Sequence, residues 1–172
     1  METERTLLTT ITPDDFGEIL DMYSEPDTFK YIPPLQNKSR EEYIDFLNSR
    51  IAQVTGRVGY HWVVRLKDTG SFIGLLNLNP IKDTEKMQIG FQLRQRYWNQ
   101  GYAREVTKRL VEFAVSELGL KVLYGVFNKR NTASKKIFER FGFEFEENRT
   151  VDHDETAIEI WKRIITKSEI VT

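Results

Sequence analysis

The chain has 172 residues, is 40% hydrophobic and 30% charged, and carries a formal net charge of −1. That length suits one domain, residues 1–172, with a sizeable core, and the near-neutral balance gives no basic excess for bulk nucleic-acid binding. Cysteine is absent, which excludes disulfides, thiolate metal sites and a cysteine nucleophile and suits a reducing cytoplasm. The opening METERTLLTT has charges where a signal peptide needs an apolar core, and runs such as FIGLL are too short to span a membrane. The expectation is a cytoplasmic protein with no membrane and no nucleic-acid partner.

In chain order, Thr6–Ile11 is predicted as a strand. Thr12 is placed to cap a helix running to about Tyr23, with Pro13 at its first position. TFKYIPPL, from Thr28 to Leu35, is a loop of the kind that borders binding sites. Ser39 and Glu42 have capping-box spacing and open a helix to about Val54. Tyr60–Leu66 and Ser71–Leu78 are β-rich and joined by a KDTG turn. Met87, Ile89, Phe91 and Leu93 alternate with polar or small residues, which is a strand with one buried face.

The stretch FQLRQRYWNQGYA, residues 91–103, carries the most information. A strand runs into a short polar loop, and Gly101 precedes a helix in which Ala103, Val106, Leu110, Phe113, Ala114 and Leu118 recur at helical spacing. A helix start offers unpaired N–H groups and the positive end of the dipole, and so suits a phosphate or diphosphate. Lys121–Phe127 is then a strand, Thr132–Phe141 a short helix ended by Gly142, and Glu144–Glu146 and Thr156–Ile164 the last strands. In the last of these, Ile158 and Ile160 are expected on one face and Ala157 and Trp161 on the other. Hairpins mixed with helical crossovers predict an α/β mixed sheet covered by helices.

Tyr97-Trp98-Asn99-Gln100-Gly101-Tyr102-Ala103, then Asn131-Thr132-Ala133-Ser134, then Gly142-Phe143, together resemble the GNAT superfamily of N-acetyltransferases over nearly the whole chain. The resemblance is closest to the branch that acetylates N-terminal amines of ribosomal proteins. It implies a central, twisted, mostly antiparallel sheet splayed between the fourth and fifth strands, with acetyl-CoA in the gap. The pantetheine arm is expected beside the backbone of Phe91, Gln92 and Leu93, and the diphosphate on N–H groups from Asn99, Gln100 and Gly101 through Tyr102, Ala103 and Arg104. Arg94, Arg96, Arg104 and Lys108 are candidate phosphate contacts, and Trp98 a cofactor or packing residue. Asn131 is expected on the pantetheine arm and Ser134 near the thioester sulfur. Tyr31, Ile32 and Gln88 are candidate acceptor contacts. No metal is expected, and a homodimer is implied by the branch alone.

Four family positions differ here: Trp98 stands where the wider superfamily prefers Arg or Gln, Asn99 where the branch has its first loop glycine, and two more bear on the chemistry. Gln88 stands where many members have a glutamate base, and Phe138 where many have a tyrosine acid. That leaves Ser134 as the candidate donor, and Asp152, His153, Asp154 and Glu155 as base candidates in a turn that also suits a solvated hairpin tip. A thiol with a pKa near ~8.5 leaves with little help. An α-amine near ~8 is about a tenth neutral at pH 7, whereas a lysine near ~10.4 is neutral about once in a few thousand. A weak base therefore suits an α-amine acceptor in a direct ternary-complex transfer. The rivals are a small-molecule amine (antibiotic, polyamine or amino acid), served by Glu25, Asp27, Glu41, Glu42 and the 152–155 run, and a non-catalytic acetyl-CoA-binding module. Neither a Walker-type loop nor G-x-G-x-x-G is present.

Overall fold

A computed structural model describes residues 1–150 and 157–166. The elements are β1 (Thr6–Thr10), α1 (Phe16–Tyr23), α2 (Arg40–Thr55), β2 (Tyr60–Leu66), β3 (Phe72–Pro80), β4 (Met87–Leu93), α3 (Tyr102–Ser116), β5 (Val122–Asn128), α4 (Thr132–Arg140), β6 (Glu144–Thr150) and β7 (Ala157–Ile164), with short 3-10 turns at Pro13–Asp15, Pro33–Leu35 and Gln95–Tyr97. The seven strands form one sheet in the order β1-β2-β3-β4-β5-β7-β6. Neighbours are antiparallel except β4 and β5.

Both sheet faces are covered, and the strand sequences record it. Trp62, Val64, Ile73 and Leu76 point into a core with Val106, Leu110 and Ala114 of α3 and Phe138 of α4. Their neighbours Val63 and Phe72 point into a second core, with Ile19 and Met22 of α1 and Leu47 of α2. On β7, Ile160 and Trp161 are both buried, so each face of that strand is covered as well.

Two of the boundaries that differ from the sequence expectation have a clear physical reason. The first helix begins with a 3-10 turn at Pro13–Asp15, where Asp15 Oδ2 accepts from both the N–H and the hydroxyl of Thr12 at 2.9 and 3.0 Å. β6 runs on to Thr150, although Glu147–Thr150 are polar. Its residues are held by the β7 ladder, with a bulge between Phe145 and Glu147, and no apolar face is needed on such an edge. The predicted capping box of α2 is present, with Ser39 N–H donating to Glu42 at 2.7 Å and Glu42 N–H to Ser39 Oγ at 3.2 Å.

Candidate active site

β3 and β4 stay in register from Gly74↔Leu93 to Pro80↔Met87, and β5 pairs with β7 from Val122 to Asn128. Between these halves, β4 and β5 pair only at Gln88↔Tyr124 and Ile89↔Gly125. Beyond that point they part. Phe138 of α4 fills the opening like a wedge, its ring 5.3 Å from Phe127 and 6.1 Å from Phe91.

The strand edge facing the gap can be read from ladder parity. Arg94 N–H donates to Ile73 O at 2.9 Å, continuing the β3–β4 register. Bonded and non-bonded pairs alternate in an antiparallel ladder. Gln88, Gly90 and Gln92 therefore turn their backbone groups to β3, while Ile89, Phe91 and Leu93 turn theirs toward β5. The Leu93 carbonyl accepts the Trp98 indole N–H at 2.7 Å. This leaves the Phe91 backbone N–H and C=O, and the Leu93 N–H, on the open edge.

The gap opens into a cavity of about 690 Å³. Gly90, Phe91, Gln92, Val126, Phe127 and Asn128 form its strand walls, and Asn131, Ser134 and Phe138 close the α4 side. Tyr31–Leu35, Phe46, Leu47, Arg50 and His61 form the opposite end. Asn131 caps α4 by accepting from the Ser134 N–H at 3.1 Å, which keeps both residues at the mouth. Tyr31 and Ile32 line this cavity. Gln88 sits at the closed end of the split, paired with Asn79 and Tyr124, and is not among the lining residues.

At the other mouth, the loop after β4 leads into α3. Asn99 and Gly101 both have left-handed backbones, with φ of 58° and 86°. Asn tolerates that conformation, and Gly adopts it without steric cost. The first helical bond here is Glu105 N–H to Gly101 O at 3.0 Å. The backbone N–H groups of residues 99–104 have no bonded partner among the described residues. Successive N–H groups at a helix start form an anion-binding concavity.

Sequence reasoning missed the brace that holds this loop. Arg5 Nε donates to Glu105 Oε2 at 2.7 Å, its Nη1 donates to Gln100 O at 3.1 Å, and its guanidinium lies 4.1 Å from the Tyr102 ring centre. Thr3 also donates to Glu105. These bonds hold the Glu105 carboxyl below its usual range even though desolvation, the largest single influence, acts upward. The candidate phosphate arginines diverge. Arg94 is paired with Glu25 at 2.5 Å and stitches the loop after α1 to the end of β4. Arg96 lies over the Tyr97 ring at 4.9 Å and, like Arg104, is exposed. Lys108 sits beside Glu112 at 3.7 Å. Ala103 packs against the core from the first turn of α3. Trp98 is 46% exposed, and its indole N–H fixes it over the strand end.

One cross-strand row joins the two ends of the cavity. His61 pairs with Asn77, and Asn77 with Gly90. A Cβ on Gly90 would stand 2.6 Å from Asn77 Oδ1, so this side-chain amide lies across the glycine. His61 Nε2 is 2.7 Å from Gln53 Oε1. With that oxygen accepting, the His61 proton is assigned to Nε2. Burial, assisted by nearby Arg50, pushes the His61 pKa down to about 3. His61 is therefore neutral and a poor base near pH 7. Asp152, His153, Asp154 and Glu155 lie outside the described residues. Among the described residues no cluster of His, Asp and Glu suited to a metal ion occurs, and no helix is long and apolar enough to cross a membrane.

Residues 5–144 match the model of the acetyltransferase (GNAT) domain family. An uncharacterized N-acetyltransferase, YoaA of Bacillus subtilis, is 26% identical over 147 residues, which is 85% of this chain and 83% of that protein. The fold is shared with RimL, a ribosomal L7/L12 alpha-N-protein acetyltransferase solved with coenzyme A, at a TM-score of 0.81 and 15% identity over 95% of this chain and 96% of that one. A spermidine N-acetyltransferase SpeG chimera from Vibrio cholerae and hSSAT superposes at 0.76 with 16% identity, over 97% of this chain and 98% of the other. Identities this low speak for the fold alone, whereas the domain match covers most of the chain. On that match, and with a sheet that parts between its fourth and fifth strands, the chain belongs to the GNAT family of acetyltransferases.

Proposed function

We propose that the protein transfers an acetyl group from acetyl-CoA to a free α-amine by direct attack in a ternary complex, with a protein N-terminus as the leading acceptor. The observation that carries this reading is the composition of the cavity. Its described lining contains no Asp, Glu or Lys, and its ionisable residues are Tyr23, Tyr31, Arg50 and His61. A site so poor in bases suits an amine that is already partly neutral at pH 7. RimL, by its name an α-N-acetyltransferase, lends the acceptor class further support.

The residues present suit acetyl-CoA. The run of N–H groups at 99–104 would hold the diphosphate, and the Phe91 C=O and Leu93 N–H of the open edge would pair with the pantetheine arm. When bound, acetyl-CoA supplies an activated thioester. The Phe91 N–H, aimed into the gap, is the donor for a developing oxyanion. Ser134 lies at the mouth as a hydroxyl donor for the departing thiolate. Asp152 and His153 are the proposed acceptors for the amine proton, directly or through water.

A thiol-release assay with acetyl-CoA tests this against N-terminal peptides, lysine side-chain peptides, polyamines and aminoglycosides. Terminal α-amines are expected to react fastest. Equal rates on a matched lysine peptide overturn the acceptor class. Tight acetyl-CoA binding with no turnover across the panel overturns catalysis in favour of a binding module. Residues 152–155 are tested separately, because His153→Ala is expected to lower kcat/KM and shift its pH profile.

A further inference from the structure

We infer that Arg50 is an anion receptor for the acceptor, so that the amine acetylated here belongs to a molecule that also presents a carboxylate. This rests on the proposed amine acetylation and names the acceptor class more closely. Phe46, Leu47 and Arg50 lie on one face of α2 and line the cavity. The guanidinium stands 4.4 Å from the Phe46 ring centre, and its Nη1 is 3.4 Å from Gln53 Oε1. Neither neighbour carries a formal charge.

Other arginines are treated differently. Arg65, also half-buried, is held by Asp15 and Glu18 at 3.0 and 2.5 Å, and Arg94 by Glu25 at 2.5 Å. No described carboxylate lies within ion-pair distance of Arg50. Desolvation draws its pKa down, with Tyr23 acting weakly the other way. A sheltered charge without a counter-ion costs stability, and proteins normally pair it. Since the described cavity lining supplies no anion, a ligand carboxylate is the natural partner. A guanidinium fork matches a carboxylate with two parallel hydrogen bonds. One cation suits a monoanion better than a phosphate dianion. It also opposes a polyamine, which would bring like charge beside it.

The geometry sets the reach. Gln53 links Arg50 to His61, and the row His61–Asn77–Gly90 crosses from β2 to β4. Two strand spacings amount to about 10 Å. An amine at the parting strands and a carboxylate at Arg50 therefore suit an amino acid with an acidic side chain or the first residues of a peptide.

The test uses the full chain and matched acceptors. One pair is glutamate and its diamide, glutaminamide, which carries no carboxylate. The other is an N-terminal peptide with Glu or Gln at its second residue. The two pairs separate a free amino acid from a peptide as the source of the carboxylate. In the pair that reacts, the carboxylate member is expected to have a kcat/KM about tenfold or more higher, carried by KM. In Arg50→Gln the ratio should fall to within about twofold, while Arg50→Lys keeps part of it. Arg50→Met controls for folding, and its Tm should equal or exceed that of the parent. Glutarate, which has no amine, is titrated separately by calorimetry, and is expected to bind the parent and not Arg50→Gln.

Measurable turnover with no carboxylate preference overturns the inference and leaves amine acetylation standing. Preference for phosphoethanolamine over the carboxylates overturns it too. Reaction at lysine side chains with the carboxylate preference intact removes the α-amine reading and upholds Arg50. If no amine reacts, glutarate decides the role of Arg50. Equal binding to both forms, or none to either, overturns it.

Discussion

At the α3 end of the crevice, the groups proposed to meet a ligand are main-chain N–H groups of residues 99–104 and the Phe91 edge. At the α2 end they are the side chains of Arg50, His61 and Asn77, with Gln53 behind them. A main-chain site persists through side-chain change. Trp98 and Asn99 depart from the family pattern, yet Asn99 still adopts the left-handed backbone that a glycine would. A side-chain site changes its chemistry with one residue.

The largest expected effect breaks the α2 end with acid. His61 has a folded pKa of about 3, below its ordinary 6.5. Between those values the unfolded chain takes up a proton that the folded chain refuses. The contribution of neutral His61 is therefore complete above pH 6.5 and is lost as pH falls toward 3. The slope is at most ~1.4 kcal/mol per pH unit, or about 3 kcal/mol by pH 4. Thermal melts at pH 7 and pH 4 should show a larger loss in the parent than in His61→Asn. Parallel losses in both would remove His61 as the cause.

At the α3 end, Gly101→Val forces a β-branched residue into a φ of 86°. The strain is about 1–3 kcal/mol, and acetyl-CoA affinity should fall on the order of tenfold or more. Unchanged affinity in a folded variant would remove the diphosphate from this turn. Arg5→Ala loosens the brace on Glu105, Gln100 and Tyr102 without touching the N–H groups. Because Arg5 is partly exposed, about 1 kcal/mol is expected, seen as a several-fold weaker acetyl-CoA affinity.

The sequence displays these ends unequally. β4 and α3 announce themselves by alternation and by helical spacing, and Gly101 marks the turn between them. The splay was legible through the family resemblance, because no local pattern states that two strands part. α2 buries only Leu47 fully. A charged residue on such a helix reads as solvent-facing, so Arg50 gave no signal. Arg94 reads as a candidate phosphate contact because its partner Glu25 lies 69 residues earlier in the chain. Residues 147–150 of β6 lack an apolar alternation because an edge strand is held by its ladder.

The smallest expected effect concerns Ser134, on the α4 side of the cavity. The residue is held at the mouth by the Asn131 cap on its N–H, so Ser134→Ala should leave α4 intact. A thiol with a pKa near ~8.5 departs with little protonation, and kcat should fall by less than about tenfold. KM for acetyl-CoA should change as little, since the proposed grip is on main-chain groups at 99–104. A fall of about a hundredfold or more would make Ser134 a true general acid. The chemical step would then depend on a side chain, as acceptor recognition does, and the main-chain character of the donor end would stop at binding.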